Sequence, residues 1–372
     1  MEINNFGVEE WLNTWEKSAK YDISQSSIDA LTLKELCELD GTSIADFFER
    51  LSEVPMDYGW IEGSEEFKTL VASLYKTVSP ENILQTNGCT GANLLTLYAL
   101  IEPGDHVVSM LPTYQQLYDI PKSLGAFVDF VELKEENHWE IDLEVMRTKI
   151  KPSTKMICLN SANNPTGTLL DKETLLAIVD MARSVNAYIL VDEVYAPLTD
   201  EGEFVSIVDL YEKGIATNSL SKTYSIPGVR IGWTATHSEV AEIFRKYRDY
   251  TMICGGVLSD ELAIQALRNK DKILERNRKI VENNLNILKE WVADEPRVSL
   301  VFPHYVSTSF IKLSIPQDDH SFCIDLLKDT GVLLVPGAAF DLPQHARLGY
   351  CCKEETLRKG LQLLSEYLRK FD

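Results

Sequence analysis

Short apolar runs rich in β-branched residues alternate with longer amphipathic stretches between about residues 63 and 250. The apolar runs predict strands at Ile83–Thr86, His106–Met110, Phe127–Leu133, Lys155–Asn160, Ala187–Asp192, Ile215–Asn218 and Arg230–Thr234. Helical patterns lie between them, for example over Gly91–Ile101 and Asp171–Val185. This alternation predicts an open, mostly parallel α/β sheet that is covered by helices on both faces. Ligands of such sheets bind beyond the carboxyl ends of the strands.

The pattern changes after about residue 270. Lys270–Trp291 carries an apolar stripe at helical spacing and predicts one long helix. Short strands are then predicted around Val306–Leu313 and Val332–Val335, with helices at Phe322–Lys328 and Glu354–Phe371. This different order indicates a second, smaller α+β domain.

Composition limits the cellular setting. The chain has 372 residues and is 45% hydrophobic, which is enough for a large core. It has no run of eighteen apolar residues, so we expect no membrane span, and its first residues lack the basic start and apolar stretch of a signal peptide. The seven cysteines are an odd number without a CxxC pair, which favours reduced thiols in a cytoplasmic protein.

The net charge of −21 argues against nucleic acid and anionic membranes as partners, because both select basic surfaces. An anionic ligand would therefore need a local pocket of positive charge. The six histidines are scattered without metal-ligand spacing, so no metal site is expected.

Lys222 is the residue with the most informative surroundings. It follows two serines, Ser219 and Ser221, and Arg230 comes eight residues later. A lysine can act as an amine nucleophile and form a Schiff base with pyridoxal phosphate (PLP). Serine hydroxyls and a guanidinium group suit a phosphate dianion. The alternative for Lys222 alone is a surface lysine beside a core strand.

The whole run, SLSKTYSIPGVRIGW, closely resembles the Schiff-base segment of class I/II aminotransferases, which are PLP enzymes of fold type I. The resemblance extends from about Tyr58 to the C-terminus, whereas the part up to about Leu51 matches only loosely. It implies a large PLP-binding domain at residues 40–270. Residues 1–39 and 271–372 would together form the small domain.

Two further segments gain a role from this resemblance. Asn87–Asn93 follows a strand and opens a helix, so it is either an ordinary turn or a phosphate site. The resemblance implies that the amides of Cys89, Thr90 and Gly91 hold the cofactor phosphate. Tyr114 follows a strand in Pro-Thr-Tyr and is either a partly buried residue at a helix start or, as the resemblance implies, a ring stacked on the pyridine.

A carboxylate at the end of a buried strand needs a partner, and Asp192 ends one in Asp-Glu-Val-Tyr. The resemblance implies that Asp192 pairs with the protonated pyridine nitrogen. It also implies that Tyr195 and Asn164, the latter in Asn-Asn-Pro-Thr-Gly, contact the phenolic oxygen of the cofactor, and that Asn164 approaches the substrate carboxylate. Glu193 is expected to be structural.

The remaining positions come from the same resemblance. Ser219, Ser221 and Arg230 would complete the phosphate site. Arg347, in Ala-Arg-Leu-Gly-Tyr, would bind the α-carboxylate of the substrate. Tyr58 would cross a homodimer interface to the phosphate in the neighbouring subunit.

These residues together predict a PLP-dependent aminotransferase that moves an amino group between an L-amino acid and a 2-oxo acid through an internal aldimine at Lys222. Two other PLP reactions are alternatives: elimination from a sulfur amino acid, and an oxidative or cyclising step on a basic amino acid. C–S lyases of this fold typically have histidine at the position of Tyr195, which favours transamination. A non-catalytic PLP-sensing domain would follow a basic DNA-binding domain, and only about fifty acidic-leaning residues precede Tyr58.

Overall fold

The computed structural model describes residues 2–196, 198, 204–304 and 306–372. The strands in this part of the chain are β1 (Tyr21–Asp22), β2 (Ile83–Thr86), β3 (His106–Leu111), β4 (Phe127–Glu132), β5 (Thr154–Asn160), β6 (Tyr188–Asp192), β7 (Gly214–Ser219), β8 (Gly232–Ala235), β9 (Val298–Ser299), β10 (Ser309–Leu313), β11 (Val332–Leu333), β12 (Val335–Pro336) and β13 (His345–Leu348). The α-helices are α1 (Gly7–Trp15), α2 (Leu33–Glu38), α3 (Ile44–Leu51), α4 (Glu65–Ala72), α5 (Gly88–Leu100), α6 (Gln116–Ser123), α7 (Leu143–Lys149), α8 (Lys172–Val185), α9 (Ser238–Arg248), α10 (Val257–Arg268), α11 (Lys270–Asp294), α12 (Asp319–Thr330) and α13 (Glu354–Leu368).

A seven-stranded sheet forms the centre, in the order β2-β8-β7-β6-β5-β3-β4. Strand β8 runs antiparallel to β2 and β7, and the other six strands all run in the same direction. The predicted mostly parallel α/β fold is therefore confirmed. The six strands predicted before residue 220 agree with the structure to within one residue at each end. The seventh begins at Gly232 rather than Arg230, because Pro227–Val229 is a 3₁₀ turn and Arg230 has a left-handed φ of 57°.

Neighbouring side chains of the central strands enter two different cores. In β6, Ile189 and Val191 pack in the larger core, whereas Leu190 packs in a second core on the other face. Both faces of the strand are thus buried, which explains why its sequence is continuously apolar instead of alternating.

The smaller part of the fold is built on the antiparallel sheet β12-β13-β10-β9. Strand β1 pairs in parallel with β11, which joins the N-terminal segment to the C-terminal third. This pairing supports the proposed division into residues 40–270 and residues 1–39 plus 271–372. The stretch predicted as one strand at Val332–Val335 is two short strands that belong to different sheets.

Helix α1 lies between the two parts of the molecule. The amide of Gly7 donates to Oε1 of Gln115 (2.8 Å), and the indole nitrogen of Trp11 donates to the carbonyl of Leu334 (2.8 Å). Within the described residues, no helix combines the length and apolar character needed to cross a membrane.

Candidate active site

A cavity of about 650 Å³ opens beyond the carboxyl ends of the central strands. It brings together residues from distant parts of the sequence. The predicted site residues in its wall are Cys89, Thr90, Tyr114, Asn164, Asp192, Tyr195, Ser219, Ser221, Lys222, Arg230 and Arg347. Gly91 lies one residue further into α5 and does not contribute to the wall.

Lys222 lies in the loop after β7, and the residue is half-buried. Nζ donates a hydrogen bond to Oγ of Ser26 (2.8 Å) and lies 5.7 Å from the centre of the Tyr195 ring. Burial lowers the pKa of Lys222 to about 8, and the positive charge of Arg347 acts in the same direction. The amine is therefore easier to deprotonate than an ordinary lysine, as a base or nucleophile requires.

Asp192 is the last residue of β6 and is only 2% exposed. Its carboxylate accepts hydrogen bonds from Nδ2 of Asn93 (2.7 Å), the amide of Val194 (3.1 Å) and Sγ of Cys89 (3.4 Å). Burial raises the pKa of Asp192, while these three donors act against that rise. The carboxylate accepts no bond from a cationic side chain in the described residues, so it can still pair with a cationic ligand atom.

The first turn of α5 lies against the side chain of Arg230. The helix begins at Gly88, so the predicted start at Gly91 is three residues too late. Gly88 has a φ of +70°, and a Cβ atom there would lie 2.5 Å from Nη2 of Arg230. Nη1 of Arg230 also donates to Oγ of Ser221 (3.5 Å). Unpaired amides at a helix start, a hydroxyl and a guanidinium group thus meet at one point, as in a phosphate site.

Arg347 projects from β13 into the opposite side of the cavity. Its side chain is 2% exposed and is held by hydrogen bonds from Nε and Nη2 to the carbonyl of Ser24 (3.2 and 2.9 Å). Nη1 donates to Oδ1 of Asn164 (3.3 Å). The backbone amide of Asn164 in turn donates to Oδ1 of Asn160 (2.7 Å). A fixed, buried guanidinium group of this kind suits a carboxylate ligand.

Two tyrosines close the cavity from the side of α1. Tyr195 is buried. The hydroxyl of Tyr114 donates a hydrogen bond to Oε1 of Glu9 (2.9 Å). The rings of Tyr114 and Phe6 are 4.9 Å apart. Glu9 and Phe6 both belong to the cavity wall.

Sequence analysis missed six polar residues of the cavity wall: Glu9, Asn13, Glu16, Ser26, Asn93 and Gln116. Asn93 had a usable signal, because it lies in the quoted Asn87–Asn93 segment four residues after Cys89 and hence on the same helix face. Ser26 and Glu9 lie in the N-terminal segment, where no motif marked them.

Tyr58 lies outside this cavity. Its side chain is 78% exposed, and its own amide donates to Oδ1 of Asp57 (2.7 Å). The structure of one chain therefore does not bring Tyr58 to the other predicted site residues.

The geometry agrees with what comparison of the chain with known proteins finds. The family described as aminotransferase class I and II matches residues 51–364. The chain belongs to the class I and II aminotransferases. The residues that match the family cover most of the large part of the fold and extend through β13 into α13.

Several known proteins are similar to this chain over most of its length. A PLP-dependent aminotransferase structure from Streptococcus suis has 56% sequence identity and a TM-score of 0.98, covering 100% of this chain and 99% of that one. The aspartate aminotransferase of Thermotoga maritima is 30% identical over 79% of this chain and 77% of its own length. The capreomycidine synthase of Streptomyces vinaceus is 27% identical over 97% of this chain and 93% of its own length.

The protein is thus a PLP-dependent aminotransferase, and its cavity fits the cofactor. Asp192 offers a buried carboxylate for the pyridine nitrogen, and Lys222 offers an amine of lowered pKa. The start of α5 with Ser221 and Arg230 offers a cradle for the phosphate.

Proposed function

We propose that Lys222 is the residue that holds PLP covalently and afterwards moves the substrate proton. In bound form, PLP supplies an electron-withdrawing ring that stabilises negative charge at the substrate Cα. Nζ of Lys222 would accept the proton from Cα, for which a pKa of about 8 is well suited. Ser26 would hold the amine in place through its hydrogen bond.

The other wall residues divide into three groups in this proposal. Asp192 would keep the ring nitrogen protonated, Tyr114 would stack on the ring, and Tyr195 and Asn164 would donate to its phenolic oxygen. Arg347 would bind the α-carboxylate, with Asn164 beside it. Ser219, Ser221, Arg230 and the amides of Cys89, Thr90 and Gly91 would hold the phosphate.

One observation carries the proposal: a half-buried lysine of lowered pKa shares a cavity with a buried carboxylate and a buried arginine. The test is to incubate the purified holoenzyme with L-amino acids and 2-oxoglutarate and to measure glutamate and new 2-oxo acids. We expect equal amounts of both products for at least one donor. Loss of the donor without glutamate formation would contradict transamination.

Similarity to capreomycidine synthase over 97% of the chain favours one second candidate, a cyclising reaction on an amino acid. A cyclisation needs no 2-oxo acid acceptor. It would therefore consume the amino acid equally well when 2-oxoglutarate is left out, whereas transamination would stop after one turnover per site. Elimination from a sulfur amino acid would instead release a thiol.

We also propose that the protein is a cytoplasmic homodimer with sites that include Tyr58 of the neighbouring subunit. Tyr58 is flanked in the sequence by the exposed apolar residues Met56, Trp60 and Ile61. Gly59 lies against the carbonyl of Gly255, which brings this segment close to the one that carries the exposed residues Tyr250 and Ile253. An exposed apolar patch of this kind is typical of a protein interface. All seven cysteines are unpaired, which agrees with a reducing compartment.

A further inference from the structure

The cavity wall formed by α1 is the part of the site that the proposed function leaves without a role. The wall takes Val8, Glu9, Leu12 and Asn13 from two successive turns of this helix, and Glu16, which directly follows it. The adjacent face, with Glu10, Trp11 and Trp15, lines a separate cavity against the small domain. Hydrogen bonds from Gly7 to Gln115 and from Trp11 to Leu334 fix the orientation of the helix.

The distribution of charge over the wall is uneven. Its cationic residues are Lys222, Arg230 and Arg347, and the proposed function uses all three for the reacting amine, the phosphate and the α-carboxylate. Among the described wall residues, no further lysine or arginine is left to bind an acidic side chain of a substrate. Glu9 and Glu16, by contrast, are carboxylates without a role in holding PLP.

Glu9 is the better placed of these two carboxylates. Glu16 is exposed and contacts Gln25, whereas Glu9 is half-buried and accepts from the hydroxyl of Tyr114 at 2.9 Å. Its charge also reaches the reacting groups: burial lowers the pKa of Lys222 and of Arg347, and Glu9 acts against both shifts. Phe6, Val8 and Leu12 surround it with apolar surface.

We propose that Glu9 is a specificity-determining residue that binds the cationic side chain of the amino acid substrate, which would be of the arginine or lysine class. The apolar side chains around Glu9 suit the methylene stem of such a substrate, and the carboxylate suits its charged end. An acidic substrate would meet like charge at this wall. This inference rests on the proposed function, because it assumes that Arg347 and Lys222 place the α-carbon of the substrate.

The test compares L-arginine with L-citrulline, which has nearly the same shape and a neutral end group. With purified holoenzyme and saturating 2-oxoglutarate, we expect kcat/KM for arginine to exceed that for citrulline by roughly tenfold to a hundredfold. Glu9→Gln should reduce this ratio to about one, mainly through the KM for arginine. Glu10→Gln removes the same charge from the adjacent helix face and should leave the ratio unchanged.

Calorimetric binding of the same two compounds separates this inference from the proposed function. Suppose that arginine binds more tightly than citrulline, that this difference depends on Glu9, and that no 2-oxo acid forms. This result would support the inference and contradict transamination. Three outcomes would overturn the inference alone. They are transamination with equal kcat/KM for both compounds, a preference for aspartate, and an arginine-to-citrulline ratio that Glu9→Gln does not change. Absence of both binding and turnover would overturn both.

Discussion

Two adjacent carboxylates at the end of β6 have opposite surroundings. Asp192 faces the cavity and Asn93, whereas Glu193 is outside the cavity wall and accepts from Oγ of Ser206 and the amide of Ile207, both at 2.9 Å. Burial raises the pKa of Glu193 to about 8. Alternating side-chain direction along a strand thus separates a site residue from a structural one.

We therefore predict that Asp192→Asn lowers kcat/KM far more than Glu193→Gln. Removing one partner of a buried ion pair typically costs about 3–5 kcal/mol, which corresponds to roughly two hundredfold to five thousandfold in rate. Glu193→Gln keeps an oxygen for both donors and should stay within about tenfold of wild type. Steady-state kinetics on variants with unchanged melting temperature gives the comparison, and equal losses would show that Asp192 is not the ring partner.

Short sequence motifs predicted the residues at the chemical centre of the site but not the residues that surround them. Lys222, Asp192 and Arg230 stand in short segments whose composition already indicates their chemistry. Ser26 and Glu9 cannot be found in this way, since they reach Lys222 and Tyr114 across 196 and 105 residues of sequence. Only the packing of the N-terminal segment on the large part of the fold brings them there.

At the scale of elements, the close contact between the start of α5 and Arg230 leads to a further prediction. In Gly88→Ala, the new Cβ atom would lie 2.5 Å from Nη2 of Arg230, so the guanidinium group would have to shift within the proposed phosphate site. We expect PLP to dissociate about tenfold more readily, as measured by the equilibrium dissociation constant of the cofactor.

Gly104→Ala is the matched control for this change. Gly104 has a similar left-handed φ of +90°, but a Cβ atom there has no neighbour within 4 Å. It therefore carries the same kind of backbone strain without a contact to the site. If both variants bind PLP as wild type does, Gly88 does not keep Arg230 in place.

Elements of the central sheet could be predicted well because their sequence pattern is set by burial on both faces. The start of α5 could not, because the segment just before Gly91 contains Gly88, and glycine is typical of turns. Helix α1 was not predicted either. Val8, Trp11, Leu12 and Trp15 stand in it at helical spacing, but the stripe spans only two turns and no motif drew attention to it.

At the scale of the whole molecule, the proposed dimer predicts complementation between two inactive variants. Tyr58→Ala would damage the site of the neighbouring subunit, and Lys222→Ala would damage its own. In a hybrid dimer, one site then lacks both residues and the other is intact. Random pairing makes half of the dimers hybrids, so co-expression should restore about one quarter of wild-type activity.

Light scattering of each variant provides the control, because both should remain dimers. The activity of the co-expressed mixture is compared with the average activity of the two single variants. If it does not exceed that average, Tyr58 does not act across an interface. The exposed apolar patch around Met56, Trp60 and Tyr250 would then need another explanation.

The most direct test of the account is to identify the lysine that carries PLP. Borohydride reduction of the holoenzyme, followed by proteolysis and mass spectrometry, should find the pyridoxyl label on the peptide that contains Lys222. Lys222→Ala should lose this label and turnover while it still binds PLP noncovalently through the phosphate site. A label on a different lysine, or full turnover by Lys222→Ala, would contradict the central claim that this amine is the reacting group.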